Sequence, residues 1–364
     1  MLFLDRTILS PILEKSINQM DIPVYTPTSA PIYPVKLLTN SESCLKVIED
    51  LYPTHPHIQV SHVVKDKAAF RRALSTLLPT FFYRLSTLEE LTTMSVTSLP
   101  FPLVLKPNKG YSSVGVKIVQ TADDWKDTLN ELKDIQQLNN AEQLYDSSVL
   151  QLDQIIVEEW IDGPEFAIDC YFDSNGNPVI LSILQHFFSN SKDTSDRLYV
   201  TSNKIIEENL EELKNFLYKL YPLFPALDFP FHIEVRKTKD GFIPIEINPL
   251  RFAGAGTTDI AYYAYGINTS SAYFQDQIPD WNKLIQLPST IIYGFVVAEL
   301  PVEFPLNKKD TFQHELFQQQ FSNLLEYREI TATTDRTLAI IFFKTLDEAE
   351  LQSILTLDIL AFFK

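Results

Sequence analysis

The sequence predicts an α+β protein, because antiparallel strand pairs alternate with amphipathic helices along the chain. Apolar residues alternate with polar ones, and short turns separate them, in three stretches: 101–119, 155–183 and 231–248. Apolar residues at helical spacing predict helices over 65–78, after Thr121, and over 209–220. With 364 residues, the chain is long enough for two or three packed subdomains.

The composition excludes several classes of protein. The formal net charge of −17 disfavours binding to nucleic acid and to anionic membranes, so a nucleotide site would need local lysines, arginines or a metal. No apolar run reaches the length of a membrane span, and Met1–Arg6 lacks the pattern of a secretory signal. Two cysteines are too few for a disulfide framework and favour a reducing cytoplasm. Six histidines without an HExxH spacing make a zinc hydrolase an unlikely class.

The elements suggest three parts. Residues 1–64 contain short mixed elements and many prolines, which we interpret as a small α/β domain. Residues 65–290 hold the main helices and hairpins, and 291–364 read as two strands and a helix in an accessory subdomain. Residues 101–183 would include a lid.

The hairpin 231–248 carries the first functional hypothesis. Phe231, Ile233 and Val235 alternate with His232, Glu234 and Arg236 along its first strand. In the second strand, Ile243, Ile245 and Ile247 are expected on one face, with Glu246 and Asn248 on the other. Simple pairing would place Glu234 opposite Pro244 and make Glu246 its diagonal neighbour.

Two close carboxylates repel each other unless a positive charge lies between them. Together with the amide oxygen of Asn248, Glu234 and Glu246 suit Mg²⁺ that also keeps substrate phosphates in its shell. Taken alone, the same pattern also fits a hairpin whose polar face is in water.

Lys106 follows an apolar strand and precedes a loop that contains Gly110 and Gly115. Its ammonium could contact a phosphate, and the glycines would let backbone amides approach phosphate oxygens. The loop is not a Walker A loop, because it lacks the Gly-Lys-Ser/Thr ending. An ordinary polar hairpin is the alternative.

Two further segments are suggestive. Where the strand Val157–Trp160 meets the turn at Gly163, backbone groups could hydrogen-bond to the edge of an adenine. Glu165 could accept hydrogen bonds from ribose hydroxyls. The alternative is a strand–turn–strand whose acidic residues are exposed to solvent. Lys67, near the start of the first predicted helix, is by itself most simply a surface lysine.

In this order and spacing, the segments resemble the ATP-grasp superfamily, in particular its amino-acid ligase, D-alanine–D-alanine ligase and biotin carboxylase group. The carriers are Asp66-Lys67, the run from Phe101 through Lys106 to Gly115, the run Val157–Glu165, and Glu234 followed by Glu246, Asn248 and Pro249. The resemblance covers roughly residues 65–260.

The resemblance implies a fold in which two α+β subdomains clamp ATP. It implies phosphate contacts from Lys67 and Lys106 and a loop with Ser112 and Ser113 over the triphosphate. It also implies that an adenine hinge is formed by Glu158, Glu159, Trp160 and Ile161, and that Glu165 contacts the ribose. The implied magnesium site consists of Glu234, Glu246 and Asn248. The implied activity joins a small carboxylate to an amine through an acyl-phosphate and releases ADP.

Other residues are candidates for the substrate. Arg251 would stabilise the acyl oxygen and the phosphoryl group, although Leu250 separates it from Asn-Pro, where the family commonly has arginine directly. His232 lies on the metal face and could contact substrate or phosphate, or be structural. The loop at Gly254 could surround the substrate, or it could cap a helix. Lys192 or Arg197 could contact the carboxylate of the substrate, or both could lie in an exposed loop.

Two other functions stay open at this stage. A kinase on the same fold would use the same ATP site and leave the phosphate on its product. A non-catalytic nucleotide-binding protein would keep the site without turnover. The sequence also leaves open the identity of the acid and amine, which could be amino acids or a small peptide, and the oligomeric state, for which a homodimer is one option.

Overall fold

The structure is a computed structural model of the chain. It describes residues 1–6, 9–27, 33–110, 115–142, 151–190, 193–301, 304–332 and 335–364. The described residues mix helices and strands, which confirms the α+β class. No helix among them is both long and apolar enough to cross a bilayer.

Fourteen strands occur in the described residues. In chain order they are β1 (Leu2–Phe3), β2 (Leu38–Thr39), β3 (Tyr83–Thr87), β4 (Leu103–Lys109), β5 (Lys117–Val119), β6 (Gln151–Glu159), β7 (Glu165–Phe172), β8 (Pro178–Phe187), β9 (Leu198–Thr201), β10 (Phe229–Thr238), β11 (Gly241–Pro249), β12 (Ile292–Glu299), β13 (Leu324–Glu329) and β14 (Thr337–Thr345).

Twelve α-helices accompany them in the part of the chain that the structure describes. They are α1 (Pro11–Met20), α2 (Leu45–Leu51), α3 (Pro56–Lys65), α4 (Lys67–Ala73), α5 (Leu88–Thr93), α6 (Trp125–Glu142), α7 (Asn203–Leu220), α8 (Ile260–Tyr265), α9 (Thr269–Phe274), α10 (Trp281–Leu284), α11 (His314–Gln318) and α12 (Glu348–Leu355).

The chain divides into two compact units. The first contains residues 1–61, 164–191 and 196–364, and the second contains 62–163 and 192–195. This division differs from the three parts expected from the sequence. Strands β12, β13 and β14, from residues 291–364, continue the same sheet as β7 to β11, so these residues do not form a separate layer. The segment 101–183, expected to include the lid, is likewise shared by both units, because β7 and β8 lie inside that sheet.

The smaller unit is built on a four-stranded antiparallel sheet of order β3-β6-β4-β5. Helix α6 packs its apolar stripe on this sheet, and Trp125, Leu129 and Leu132 are buried there as the helical spacing predicts. The expected helix over 65–78 is interrupted at Asp66, whose side chain accepts from the Ala69 amide at 2.8 Å and begins α4. An N-terminal cap of this kind ends one helix and starts another because it satisfies the unpaired first-turn amides.

The larger unit contains an eight-stranded antiparallel sheet of order β11-β10-β7-β8-β9-β12-β14-β13. Strand β7 is buried along its whole length, since it lies near the middle of this sheet and is covered on both faces. The N-terminal residues add a short parallel pair, β1 with β2, next to α1. Helix α7 begins at Asn203, six residues before the expected start, because Ser202 caps it.

The core of the smaller unit can be tested by substitution. Leu105 on β4 is fully buried, so Leu105→Ala is expected to reduce the free energy of unfolding by about 2–5 kcal/mol. Leu85 on β3 of the same sheet is 39% exposed, so Leu85→Ala should change it by no more than about 0.5 kcal/mol. Urea denaturation of both variants measures this, and equal losses would contradict the assigned core.

Candidate functional site

The hairpin of β10 and β11 brings Glu234 and Glu246 directly opposite each other. His232 is opposite Asn248 on the same face. The register therefore differs from the simple pairing expected from the sequence, in which Glu234 faced Pro244. The turn pairs Thr238 with Gly241, and a bulge opposite Glu234/Val235 leaves Ile245 without a partner residue. The turn and the bulge together shift Glu246 from the expected diagonal position to the position directly opposite Glu234.

The bulge also changes which residues share the apolar face. Val235 is opposite Pro244, and Lys237 is opposite Phe242, so Phe242, Pro244 and Ile247 lie on the buried side. Ile243 and Ile245, which were expected with Ile247, are only half-buried. Proline cannot donate to a ladder, and strand prolines are often found at bulges. The prediction of a shared face for the three isoleucines is therefore wrong.

The charges on the polar face interact strongly. Burial, followed by repulsion from Glu246, raises the pKa of Glu234 to about 6. Burial alone would lower the pKa of His232, but hydrogen bonds to Asp169 and Glu234 raise it to about 9. The raised pKa favours the protonated, cationic form of His232 at neutral pH.

Asp169 is a site residue that the sequence reasoning missed. Its carboxylate is fully buried on β7, and Oδ1 lies 2.7 Å from His232 Nδ1 and accepts from the Ala253 amide at 2.8 Å. Oδ2 accepts from the Thr258 hydroxyl at 2.7 Å. An aspartate inside an otherwise apolar strand was the available signal, because a buried carboxylate needs partners.

The donor set on this face fits Mg²⁺. Two carboxylates and an amide are hard oxygen donors, and Glu234 and Glu246 lie directly opposite each other, where their negative charges repel. Asn248 is buried beside the pair, and its Nδ2 lies 3.3 Å from Glu246 Oε1. Among the described residues, no group of three or more His, Cys, Asp or Glu side chains is placed to hold a metal.

The smaller unit holds a separate buried cluster of charges. Lys106 Nζ lies 2.8 Å from Glu158 Oε2, and Arg71 Nε lies 2.7 Å from Glu158 Oε1. Lys67, at the start of α4, is also buried, and its charge acts on Lys106. Lys67 is therefore not the surface lysine that its sequence position alone suggested. Lys106 lies within β4 rather than at its end, since the strand continues to Lys109.

The residues expected to form the adenine hinge are the last two of β6, Glu158 and Glu159, and the two that follow the strand, Trp160 and Ile161. Glu159 and Trp160 are half-buried and Ile161 is buried. The Trp160 amide donates to Pro102 O at 3.0 Å, which ties the segment to the start of β4. The carboxylate of Glu158, in contrast, faces Arg71 and Lys106.

Glu165, expected near ribose, is buried at the start of β7. His186 Nδ1 lies 2.9 Å from its Oε1, and Arg236 Nε donates to its Oε2 at 3.0 Å. Burial raises the pKa of Glu165, but these two partners outweigh it and hold the pKa below its usual value. Glu165 is thus ionised and oriented by neighbours on β8 and β10, neither of which was singled out from the sequence.

Arg251 follows Leu250, whose backbone is left-handed with φ 60°. A left-handed backbone is an uncommon and strained conformation for a leucine. Arg251 Nη2 donates to Glu42 Oε1 at 2.8 Å, and Nη1 donates to Phe252 O at 3.0 Å. Gly254 packs beside the same guanidinium.

The loop after Arg251 is held by Arg328 of β13. Its guanidinium donates to Asp259 Oδ2 at 2.8 Å and approaches the carbonyl oxygens of Ala255 and Gly256 at 3.4 Å. Ser10 also donates to Asp259 Oδ2. A recess of about 430 Å³, which includes the solvent at its mouth, is lined by this loop together with residues of β1, β2 and the starts of α1 and α9.

The remaining substrate candidates are less connected to this site. Arg197 donates to Leu355 O and Leu357 O at 3.0 Å each, which is a structural contact with the segment after α12. Its expected role with the substrate stays a prediction. Ser112, Ser113 and Lys192 lie outside the described residues.

The chain is similar to known proteins both in sequence and in fold. Residues 99–259 match the family model of the ATP-grasp domain. The chain is also 31% identical over 136 residues to the D-alanine–D-alanine ligase of Pseudomonas fluorescens (strain Pf0-1), a match that covers 36% of each protein. The chain thus spans little more than a third of that relative.

Solved structures resemble the chain over a greater length. L-amino acid ligase from Bacillus licheniformis is similar with a TM-score of 0.67 at 18% identity, over 97% of this chain and 95% of the ligase. Carboxyaminoimidazole ribonucleotide synthase from Aspergillus clavatus, solved with ATP, is similar with a TM-score of 0.64 at 14% identity, over 98% and 96%. The chain therefore has the ATP-grasp fold, with an ATP-grasp domain over residues 99–259.

Proposed function

We propose that this protein is an ATP-dependent ligase that joins a small carboxylic acid to an amine. The observation that carries the proposal is the opposed pair Glu234 and Glu246 with Asn248 beside it, on the sheet of an ATP-grasp fold. The similar ligases named above act on amino acids by their names. We therefore propose an amino acid or a small peptide as the substrate class.

The proposed reaction has two steps. A carboxylate oxygen of the acid attacks the γ-phosphorus of ATP, the bond to the bridging oxygen breaks, and ADP leaves. The amine then attacks the carbonyl carbon of the acyl-phosphate, inorganic phosphate leaves, and the amine loses a proton. The first step is needed because a carboxylate has no good leaving group, whereas phosphate is one.

The chain's own residues would act at several points. Lys67 and Lys106 would bind phosphate oxygens as cations, and residues 159–161 would hold the base. Glu234, Glu246 and Asn248 would hold Mg²⁺, which supplies charge neutralisation at the phosphates when bound.

Further residues have proposed roles on the substrate side. Glu165, already oriented by His186 and Arg236, would accept from ribose hydroxyls. His232 and Arg251 would stabilise negative charge on the phosphoryl and acyl oxygens, since both are cationic. Gly254, Lys192, Arg197 and the loop with Ser112 and Ser113 keep their proposed contacts with substrate or triphosphate. The lid stays a proposal within residues 101–183, which contain that loop.

Product analysis tests the reaction class. The protein, incubated with Mg-ATP and a mixture of amino acids, should release ADP and free phosphate in equal amounts, measured by nucleotide chromatography and a phosphate assay. Release of AMP and pyrophosphate would contradict the proposal. ADP without free phosphate would indicate a kinase on the same fold, because the phosphate would remain on the product.

The carboxylate pair provides a direct test of the metal site. Glu246→Gln should lower turnover about 100-fold or more, which is the scale of losing one preorganised electrostatic group. The variant should still bind adenosine, because the substitution leaves the base-binding residues 159–161 unchanged. Glu207→Gln on the exposed surface of α7 makes the same chemical change and should leave turnover unaltered. Full turnover of Glu246→Gln would remove the basis for the metal assignment.

Substituting two glycines distinguishes a steric clash in the loop from backbone strain as the cause of lost stability. Gly256 and Gly266 have similar left-handed backbones, with φ +75° and +72°. A Cβ at Gly256 would lie 2.5 Å from Arg328 Nη1 and 2.8 Å from Ser10 Cβ, whereas one at Gly266 would meet nothing within 4 Å.

Gly266→Ala should therefore cost about 1–2 kcal/mol of unfolding free energy from strain alone. Gly256→Ala should cost roughly 1–3 kcal/mol more, because Arg328 or Ser10 has to move. Chemical denaturation measures both, and turnover should fall only for Gly256→Ala. Equal destabilisation would show that the close approach of Arg328 does not constrain the loop.

A further inference from the structure

Both carboxylate oxygens of Glu158 are engaged by cations. Arg71 binds it with two nitrogens, with Nε 2.7 Å from Oε1 and Nη2 3.0 Å from Oε2. Lys106 Nζ approaches Oε2 at 2.8 Å. The three side chains are between 1% and 6% exposed, so this ion cluster is screened from water. Charge-assisted bonds of this kind are strong and hold both partners in a fixed geometry.

Arg71 is itself rigidly placed. It lies on α4 one turn after Lys67, and its guanidinium carbon is 4.4 Å from the ring centroid of Phe81. A planar guanidinium that stacks on a ring and binds a carboxylate with two nitrogens has little freedom to turn. The Asn108 side chain accepts from the Ala68 amide at 2.9 Å, which ties α4 to β4, the strand of Lys106.

The charges that act on Lys106 show why this arrangement is needed. Burial lowers its pKa, and the positive charges of Arg71 and Lys67 lower it further, while Glu158 raises it. Glu158 is the one group among these that attracts the ammonium. The long lysine side chain would otherwise lose its direction, because its four-carbon stem has many rotamers.

We infer that Arg71 and Glu158 are positioning residues that aim Lys106 at the nucleotide phosphates, and that the Glu158 carboxylate does not read the base. Two observations carry this inference: the two-nitrogen contact from Arg71 and the direct contact of Lys106 with the same carboxylate. Base recognition then falls to the segment after Glu158. The inference rests on the proposed function, in that ATP binds at Lys106.

Nucleotides with and without phosphates separate the two roles of Glu158. Glu158→Gln removes the charge at nearly constant shape, and Arg71→Lys keeps the charge but loses the two-nitrogen contact. Isothermal titration with adenosine and with ADP, each in the presence of Mg²⁺, measures the base and phosphate contributions on the same protein. Arg72→Lys is the matched control, since Arg72 is the exposed neighbour of Arg71.

For both variants, ADP affinity should fall roughly tenfold to a hundredfold, the scale of one charge-assisted hydrogen bond. Adenosine affinity should stay within about a factor of two of the wild type, and Arg72→Lys should change neither. Thermal unfolding identifies a variant that does not fold, and the milder Arg71→Lys then decides the question.

A folded variant that loses adenosine affinity as much as ADP affinity would overturn the inference, because Glu158 would then contact the base. Unchanged ADP affinity in both variants would overturn it as well. A wild-type protein that binds neither nucleoside nor ADP would instead refute the proposed function on which the inference rests.

Discussion

The pairing of β10 with β11 is the constraint on which the rest of the larger unit's site depends. It holds Glu234 opposite Glu246 although two carboxylates at that separation repel each other. The strands cannot turn to relieve the repulsion, because Phe231, Ile233 and Val235 are buried on the other face. Turning the strand would expose these three side chains at a cost of about 1.5–3 kcal/mol each. The packing of the apolar face therefore holds the two carboxylates opposite each other.

Asp169 connects this face to the loop that follows β11. One oxygen contacts both His232 and the Ala253 amide, and the other binds Thr258, so any movement of the loop alters the cation beside Glu234. Arg328 holds the same loop from β13. The C-terminal residues, to which the sequence assigned no role beyond an accessory subdomain, thus supply a side chain that orders a loop next to the proposed active site.

Local patterns in the sequence were sufficient for much of the fold. Alternation over 231–248 predicted the hairpin and placed His232, Glu234, Glu246 and Asn248 on one face, as the structure has them. The expected helix after Thr121 is confirmed, since Thr121 caps the turn before α6. The register and the second strand's apolar face could not be predicted in the same way, since both depend on a bulge next to Pro244, which the alternation of residue types does not show.

Contacts between distant parts of the chain were also out of reach. Arg71 and Glu158 are 87 residues apart, and nothing in either local sequence indicates that they pair. The contacts of Asp169 and Arg328 were equally hard to predict, because each residue binds partners that are remote in sequence. The residue patterns and the resemblance together indicated Lys67, Lys106 and the carboxylates proposed for the metal, but not the groups that orient them. The orientation of a site side chain depends on tertiary contacts. A single sequence indicates such a contact only where a charged residue interrupts an apolar run, as at Asp169.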